Sequence, residues 1–134
     1  MVGIVIVTHS AKTAEGICET AAQMARPGQR ILPAGGCGNG EIGTDAVKIA
    51  AAIEAADDGS GVVVLVDLGS AVLSTETAME LLEEELRPLV RIADAPVVEG
   101  AIAAVVQASL GGTLAEVLET AEGVRDLSKT AKGR

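Results

Sequence analysis

The chain contains no phenylalanine, tryptophan or tyrosine. Its core must therefore be built from Val, Ile, Leu, Ala and Met, and it has no aromatic platform on which a nucleotide base or a sugar ring could stack. Histidine occurs once, as His9, and cysteine twice, as Cys18 and Cys37, outside any Cys-x-x-Cys arrangement. That set cannot supply the ligands of a structural zinc site, so no metal is expected, and the cysteines read as free thiols in a reducing compartment. Positive charge is scarce: 10 Lys and Arg stand against 19 Asp and Glu, a net charge of −9. Nucleic-acid binding rests largely on cationic contacts with phosphate, so no nucleic-acid role is expected.

Long apolar runs are also missing. The most apolar stretches, residues 4–7 and 62–66, fall far short of the ~20 residues of a membrane span. No basic segment precedes the first of them, so the expectation is a cytoplasmic protein with no membrane association. A chain of 134 residues fits one domain that buries about 65–70% of its unfolded surface.

What is present alternates between two periods. Residues 2–7, Val-Gly-Ile-Val-Ile-Val, form a β-branched run too short for a helix and too continuous for a half-exposed strand, which predicts a buried parallel strand. After the turn Thr8-His9-Ser10, the residues Ala14, Ile17, Cys18, Ala21, Ala22 and Met24 recur at helical spacing until Pro27-Gly28. A weaker strand is expected at 30–34, and a glycine-rich loop at 35–40. Thr44 is expected to cap a helix carrying Ala46, Val47, Ile49, Ala50 and Ile53, which ends near Asp57-Asp58-Gly59. Residues 62–66 predict a third strand, and Ser70 is the expected cap of the helix that follows, with Leu73, Thr77, Leu81 and Leu82 on it. A strand at 90–93, a helix from about 98 to 110, the break Gly111-Gly112 and a last helix through Val117, Leu118 and Ala121 complete the pattern. Residues 1–124 form the expected domain and 125–134 a basic C-terminal tail, frayed at its end.

This rhythm implies an α/β fold: an open, mainly parallel sheet with helices on both faces, joined by right-handed crossovers. In such sheets the chemistry collects beyond the carboxyl ends of the strands, where strand order reverses. Three turns qualify, at residues 8–10, 35–44 and 67–70. His9 lies just after the first strand and Asp67 just after the third. If the strands are neighbours, the carboxylate can hold one ring nitrogen and leave the other with a free lone pair, a nucleophile. Gly69, Ser70 and Ala71 offer first-turn amides and a hydroxyl suited to a phosphoryl group, and Ser10 offers a second hydroxyl. Gly43 and Thr44 are possible contacts from the neighbouring loop. Each residue also has a plainer reading, a turn-capping histidine, a helix-flanking carboxylate and N-capping serines, and the sequence leaves both open.

Other motifs fare worse. Gly38-x-Gly40-x-x-Gly43 matches a dinucleotide fingerprint but follows the second strand, several residues late, with no acidic ribose ligand at the usual distance. A receiver domain needs an acidic pair after the first strand to hold Mg²⁺, where Thr8-His9-Ser10 stands. No Gly-Lys-Ser or Gly-Lys-Thr of a P-loop occurs.

Taken together, Val5-Ile-Val-Thr-His-Ser10, Ile42-Gly-Thr-Asp-Ala-Val-Lys48, Val66-Asp-Leu-Gly-Ser-Ala71, Thr75-Glu-Thr-Ala78 and Ala95-Pro-Val-Val-Glu-Gly100 resemble the phosphotransferase subunits of phosphoenolpyruvate-dependent dihydroxyacetone kinases, of the mannose-type enzyme IIA fold. The resemblance runs from the first strand to about Val124. It implies that His9 is phosphorylated by the carrier protein HPr, that Asp67 holds the imidazole, and that the phosphate passes to ADP on the kinase's nucleotide-binding L subunit, which brings Mg²⁺. It also implies a homodimer, with no cofactor bound on this subunit. Some family members carry fused HPr-like and enzyme-I-like domains, and because this sequence stops at Arg134 a separate donor is expected. The turn Asp67-Leu-Gly-Ser-Ala71 lacks the extra glycine and proline typical of the sugar-transporting mannose branch, which favours the kinase branch. Two alternatives remain: the IIA component of a mannose-type sugar permease, and a module that binds a small anion or nucleotide without covalent chemistry.

Overall fold

β-branched residues suit a pleated backbone, and a run of them that is apolar on both faces is stable only between two layers of other structure. In a computed structural model of the chain, which describes residues 1–130, the apolar runs become strands β1 (Gly3–Thr8), β2 (Ile31–Gly35), β3 (Val62–Val66) and β4 (Val90–Ile92). Between and after them lie helices α1 (Ala11–Ala22), α2 (Ala46–Ala56), α3 (Gly69–Glu80), α4 (Val97–Ser109) and α5 (Leu114–Gly123). The strands pair in parallel in the order β2-β1-β3-β4, so the sheet of the described residues is entirely parallel.

Side-chain alternation along β1 divides the core. Ile4 and Ile6 face a layer made by α1, α4 and α5, whereas Val5 and Val7 face α2 and α3. Each such Val or Ile, fully buried, contributes ~1.5–3 kcal/mol against the entropy lost on folding. The layers rely on alanine where an aromatic chain would place a ring: Ala101, Ala104 and Ala108 of α4 and Ala52 and Ala56 of α2 are buried, which lets the helices lie close to the sheet.

The elements differ from the sequence expectations in several places. Strand β2 is displaced by one residue, beginning at Ile31 and ending at Gly35. Helix α1 stops at Ala22 rather than running to Pro27. Past that point Met24 is exposed, and the segment is held instead by Ser109, whose Oγ accepts the Arg26 amide at 3.2 Å, and by Gln29, which donates to the Val2 carbonyl at 2.8 Å. Thr44 does not cap α2. Asp45 does, because its carboxylate accepts both the Val47 and Lys48 amides. Helix α3 turns a different face inward than its leucines imply: Ala71, Thr75 and Ala78 are buried, while Leu73 and Leu81 are 66% and 55% exposed.

After α5, a 3₁₀ turn at Val124–Asp126 is fastened by an Arg125–Asp94 ion pair at 2.6 Å, and Lys129 pairs with Glu99 at 2.7 Å. Residues 131–134 of the expected tail, including its frayed end, lie outside the described residues. No helix of the described residues is long and apolar enough to cross a membrane.

Candidate active site

Strands β1 and β3 lie side by side, with Val7 opposite Val66. Their continuations part to opposite faces of the sheet, β1 into α1 and β3 into α3. This is the topological switch point, and it leaves an opening at the carboxyl ends of the two strands. His9 is the second residue beyond Val7 and Asp67 the first beyond Val66, so strand register sets them within one residue of each other. The Asp67 amide, donating to the Val7 carbonyl at 3.2 Å, continues the ladder to that point.

The two side chains meet there. His9 Nδ1 is 3.0 Å from Asp67 Oδ1, and the His9 amide donates to Asp67 Oδ2 at 2.9 Å. The Leu68 amide adds a third donor to the carboxylate at 2.8 Å. A carboxylate can only accept, so the ring proton of a neutral His9 resides on Nδ1 and the lone pair on Nε2. Nε2 points at Ser70 Oγ, 2.6 Å away, and that hydroxyl donates to it. The His9 and Asp67 side chains are 22% and 19% exposed, enough for a partner to reach the outer ring nitrogen. A groove of about 530 Å³ adjoins Asp67 and Gly69 and reaches Glu76, Asp94 and Ala95.

Ser70 is not the N-cap of α3. The helix begins two residues earlier than such a cap would set it, at Gly69, and its N-cap position is Leu68, which offers no capping side chain. The first turn of α3 is thus left without a side-chain partner for its amides, whose dipole makes that end attractive to an anion. Of the three residues expected to supply this turn, Gly69 and Ser70 lie at its opening, while the Ala71 amide already donates to the Leu68 carbonyl at 2.9 Å. Ser10 stands next to His9 and caps α1, its Oγ accepting the Thr13 amide at 3.3 Å.

The glycine-rich segment closes the other side. The Gly43 amide donates to the His9 carbonyl at 2.8 Å. Gly43 has φ +143°, and a Cβ there would come within 2.5 Å of Cys37 Sγ. Thr44, in place of capping α2, shares a hydroxyl–hydroxyl bond of 2.6 Å with Ser74 of α3. Lys48 reaches back from α2 to the Gly35 carbonyl at 2.6 Å. The sequence reading missed both Ser74 and Lys48. For Ser74 the available signal was its spacing of four from Ser70, which sets both on one face of a helix. Cys18 lies away from the site, its thiol pushed up to about 11 by burial and then by the charge of Glu15. Among the described residues no group of three or more His, Cys, Asp or Glu could hold a metal ion.

Fold and site together define a class: an open α/β protein presenting a single oriented imidazole at the switch point of its sheet. Residues 3–118 match the family EIIA-man, described as the PTS system fructose IIA component. The chain is 40% identical over 119 residues to the PEP-dependent dihydroxyacetone kinase 2, phosphoryl donor subunit DhaM, of Listeria innocua, covering 89% of this chain and 95% of that one. It is 43% identical over 125 residues to the corresponding Providencia stuartii subunit and 46% over 121 residues to that of Escherichia coli, covering 91% and 88% of this chain but 26% of each relative. The chain thus spans about a quarter of the length of those two relatives.

Among solved structures, an unknown function protein, EF1359, is 36% identical with a TM-score of 0.81, over 92% of this chain and 95% of that one. A phosphotransferase system component EIIA from Streptococcus agalactiae shares the fold at 15% identity, with a TM-score of 0.64 over 96% and 97% of the two chains. The chain belongs to the EIIA-man family of phosphotransferase system IIA components, in the branch of dihydroxyacetone kinase phosphoryl donor subunits.

Proposed function

We propose that this chain carries phosphoryl groups for a phosphoenolpyruvate-dependent dihydroxyacetone kinase, accepting them on Nε2 of His9 from the phosphohistidine of HPr and passing them to ADP on the kinase's L subunit. The observation that carries the reading is the double restraint on one imidazole, with Nδ1 on Asp67 at 3.0 Å and Nε2 turned to the uncapped first turn of α3. The names of the 40–46% identical relatives support the kinase branch.

In the transfer the Nε2 lone pair attacks phosphorus as the donor's P–N bond breaks, and the electron pair of that bond returns to the donor ring. The Nδ1 proton stays on the ring, hydrogen-bonded to Asp67, whose charge offsets the positive charge building on the imidazole. Ser70 turns its hydroxyl from Nε2 to a phosphoryl oxygen. The amides of Gly69 and Ser70 and the Ser10 hydroxyl face the remaining oxygens, while Ala71 contributes by packing the turn. Such transfers depend on positioning and charge stabilisation more than on covalent work by the protein. In the second half-reaction a terminal phosphate oxygen of ADP attacks the same phosphorus and His9 recovers its lone pair. This subunit requires no metal or cofactor, since Mg²⁺ arrives with the nucleotide on the partner. It acts in the cytoplasm, as a homodimer.

The family description names a fructose IIA component, which favours a second reading as the IIA component of a sugar permease. One experiment tests both. Incubation with phosphoenolpyruvate, enzyme I and HPr should raise the intact mass by one phosphoryl group, acid-labile and base-stable, in the wild type and not in His9→Ala. Labelling of His9→Ala at the wild-type level would reject the assignment. Discharge to the ADP-loaded L subunit, and not to a permease IIB component, is the outcome expected for the kinase branch.

A further inference from the structure

Helix α3 carries Ser70 to the reacting nitrogen, yet its first turn is weakly held. Its N-cap position makes no side-chain hydrogen bond, and its buried face consists of the small residues Ala71, Thr75 and Ala78, which bring little apolar area to the sheet. Leu68 and Leu73, the large residues near that end, point to solvent. Apolar packing alone therefore does not account for a Ser70 hydroxyl kept 2.6 Å from Nε2.

The missing restraint comes from the glycine-rich segment. Ser74 lies four residues after Ser70 and so on the same side of the helix. It is tied to Thr44 by a partly buried hydroxyl–hydroxyl bond of 2.6 Å. Thr44 follows Gly43, whose amide holds the His9 carbonyl at 2.8 Å. Gly43 in turn sits against Cys37 Sγ in a backbone conformation that favours glycine. The contacts form a closed ring: from His9 Nε2 to Ser70, along one turn of α3 to Ser74, across to Thr44, and through Gly43 back to the main chain of His9.

We propose that Thr44 and Ser74 are positioning residues for the phosphoryl transfer, a hydroxyl clamp that registers the first turn of α3 against His9. Neither residue touches the reacting atoms. The clamp sets where Ser70 and the first-turn amides stand when phosphorus arrives, and it takes the place of the N-cap that α3 lacks. This rests on the phosphocarrier reading above, and its test is chosen so that the two can fail separately.

The test compares Thr44→Val, Ser74→Ala and the double variant with the wild type, in phosphoryl uptake from phosphorylated HPr and in the ¹⁵N spectrum of the His9 ring without any donor. Displacement of the acceptor geometry by a fraction of an ångström to an ångström predicts that kcat falls about tenfold or more in each single variant, with KM for the donor unchanged. The double variant is expected to be no slower than either single one, because both remove the same bond. Thr44→Ser restores most of the rate lost in Thr44→Val. In the spectrum, Nε2 shifts toward the position of a lone pair without a hydrogen bond in both single variants. Wild-type kcat in both single variants, or losses that add in the double one, would overturn the clamp. Should the wild type accept no phosphate, the phosphocarrier reading falls, and the Nε2 resonance still decides the clamp: an unshifted resonance in both variants rejects it.

Discussion

The candidate site centres on one imidazole whose two nitrogens are given different partners. Asp67 serves as the sorting device. Three donors converge on its carboxylate, the His9 ring, the His9 amide and the Leu68 amide, so it is held as firmly as the ring it holds. The pairing was legible in the sequence because His9 and Asp67 each follow an apolar run, and parallel register brings them to within one residue of each other. Ser70 was legible as a hydroxyl at this turn but not as a partner of Nε2, since its expected role as a helix cap assumed that α3 began two residues later. Asp67→Ala should leave His9 able to accept phosphate but slow the transfer by roughly 10²-fold, because both ring tautomers then compete and the charge on the ring goes unbalanced. Rapid-quench measurement of uptake from phosphorylated HPr checks this, and an unchanged rate would reduce Asp67 to a helix-flanking carboxylate.

At the level of elements, strands were easier to read than helix faces. Residues 62–65 are buried in a continuous run because helices cover both sides of the sheet, and such a run of branched apolar residues can satisfy nothing else. Helix α3 shows the opposite case: Leu73 and the C-cap Leu81 look outward and Ala71 and Ala78 inward, and of the expected leucines Leu82 alone, just past the helix, is buried, so within the helix hydrophobic periodicity names the wrong face. The Thr44–Ser74 bond could not be seen at all, because it joins two hydroxyls 30 residues apart with no periodic pattern linking them. The junction of β2 with α1 carries a sharper constraint. A Cβ on Gly35 would stand 2.4 Å from the Ser10 carbonyl oxygen and 2.8 Å from Ala14 Cβ, both on the segment that leads out of His9. Gly35→Ala should therefore cost ~1–3 kcal/mol through overpacking, seen as a lower midpoint in thermal unfolding. An unchanged midpoint would mean that β2 and α1 can separate freely.

At the scale of the molecule the acidic, aromatic-free composition and the parallel sheet are consistent with each other: among the described residues, small apolar side chains let five helices lie close to four short strands, and the charge stays outside. The N-terminus is stitched into this frame by its amine, 2.8 Å from Asp58. That bond and the Ser60 contacts lower the Asp58 carboxyl from 3.8 to about 2. A depressed folded-state pKa stabilises the fold above the unfolded value and loses that contribution as pH falls through the folded one. Asp58→Asn should thus be less stable than wild type near neutral pH, with the two denaturation midpoints converging as pH drops from about 4 toward about 2; a constant gap through that window would show that the pair contributes nothing. The central claim concerns the nitrogen that receives the phosphoryl group, and it is tested most directly by ³¹P–¹⁵N correlation on ¹⁵N-histidine protein phosphorylated by HPr. The account predicts phosphorus coupled to Nε2 of His9 while Nδ1 keeps its proton toward Asp67. Phosphorus on Nδ1, or no phosphorus on His9, would contradict it.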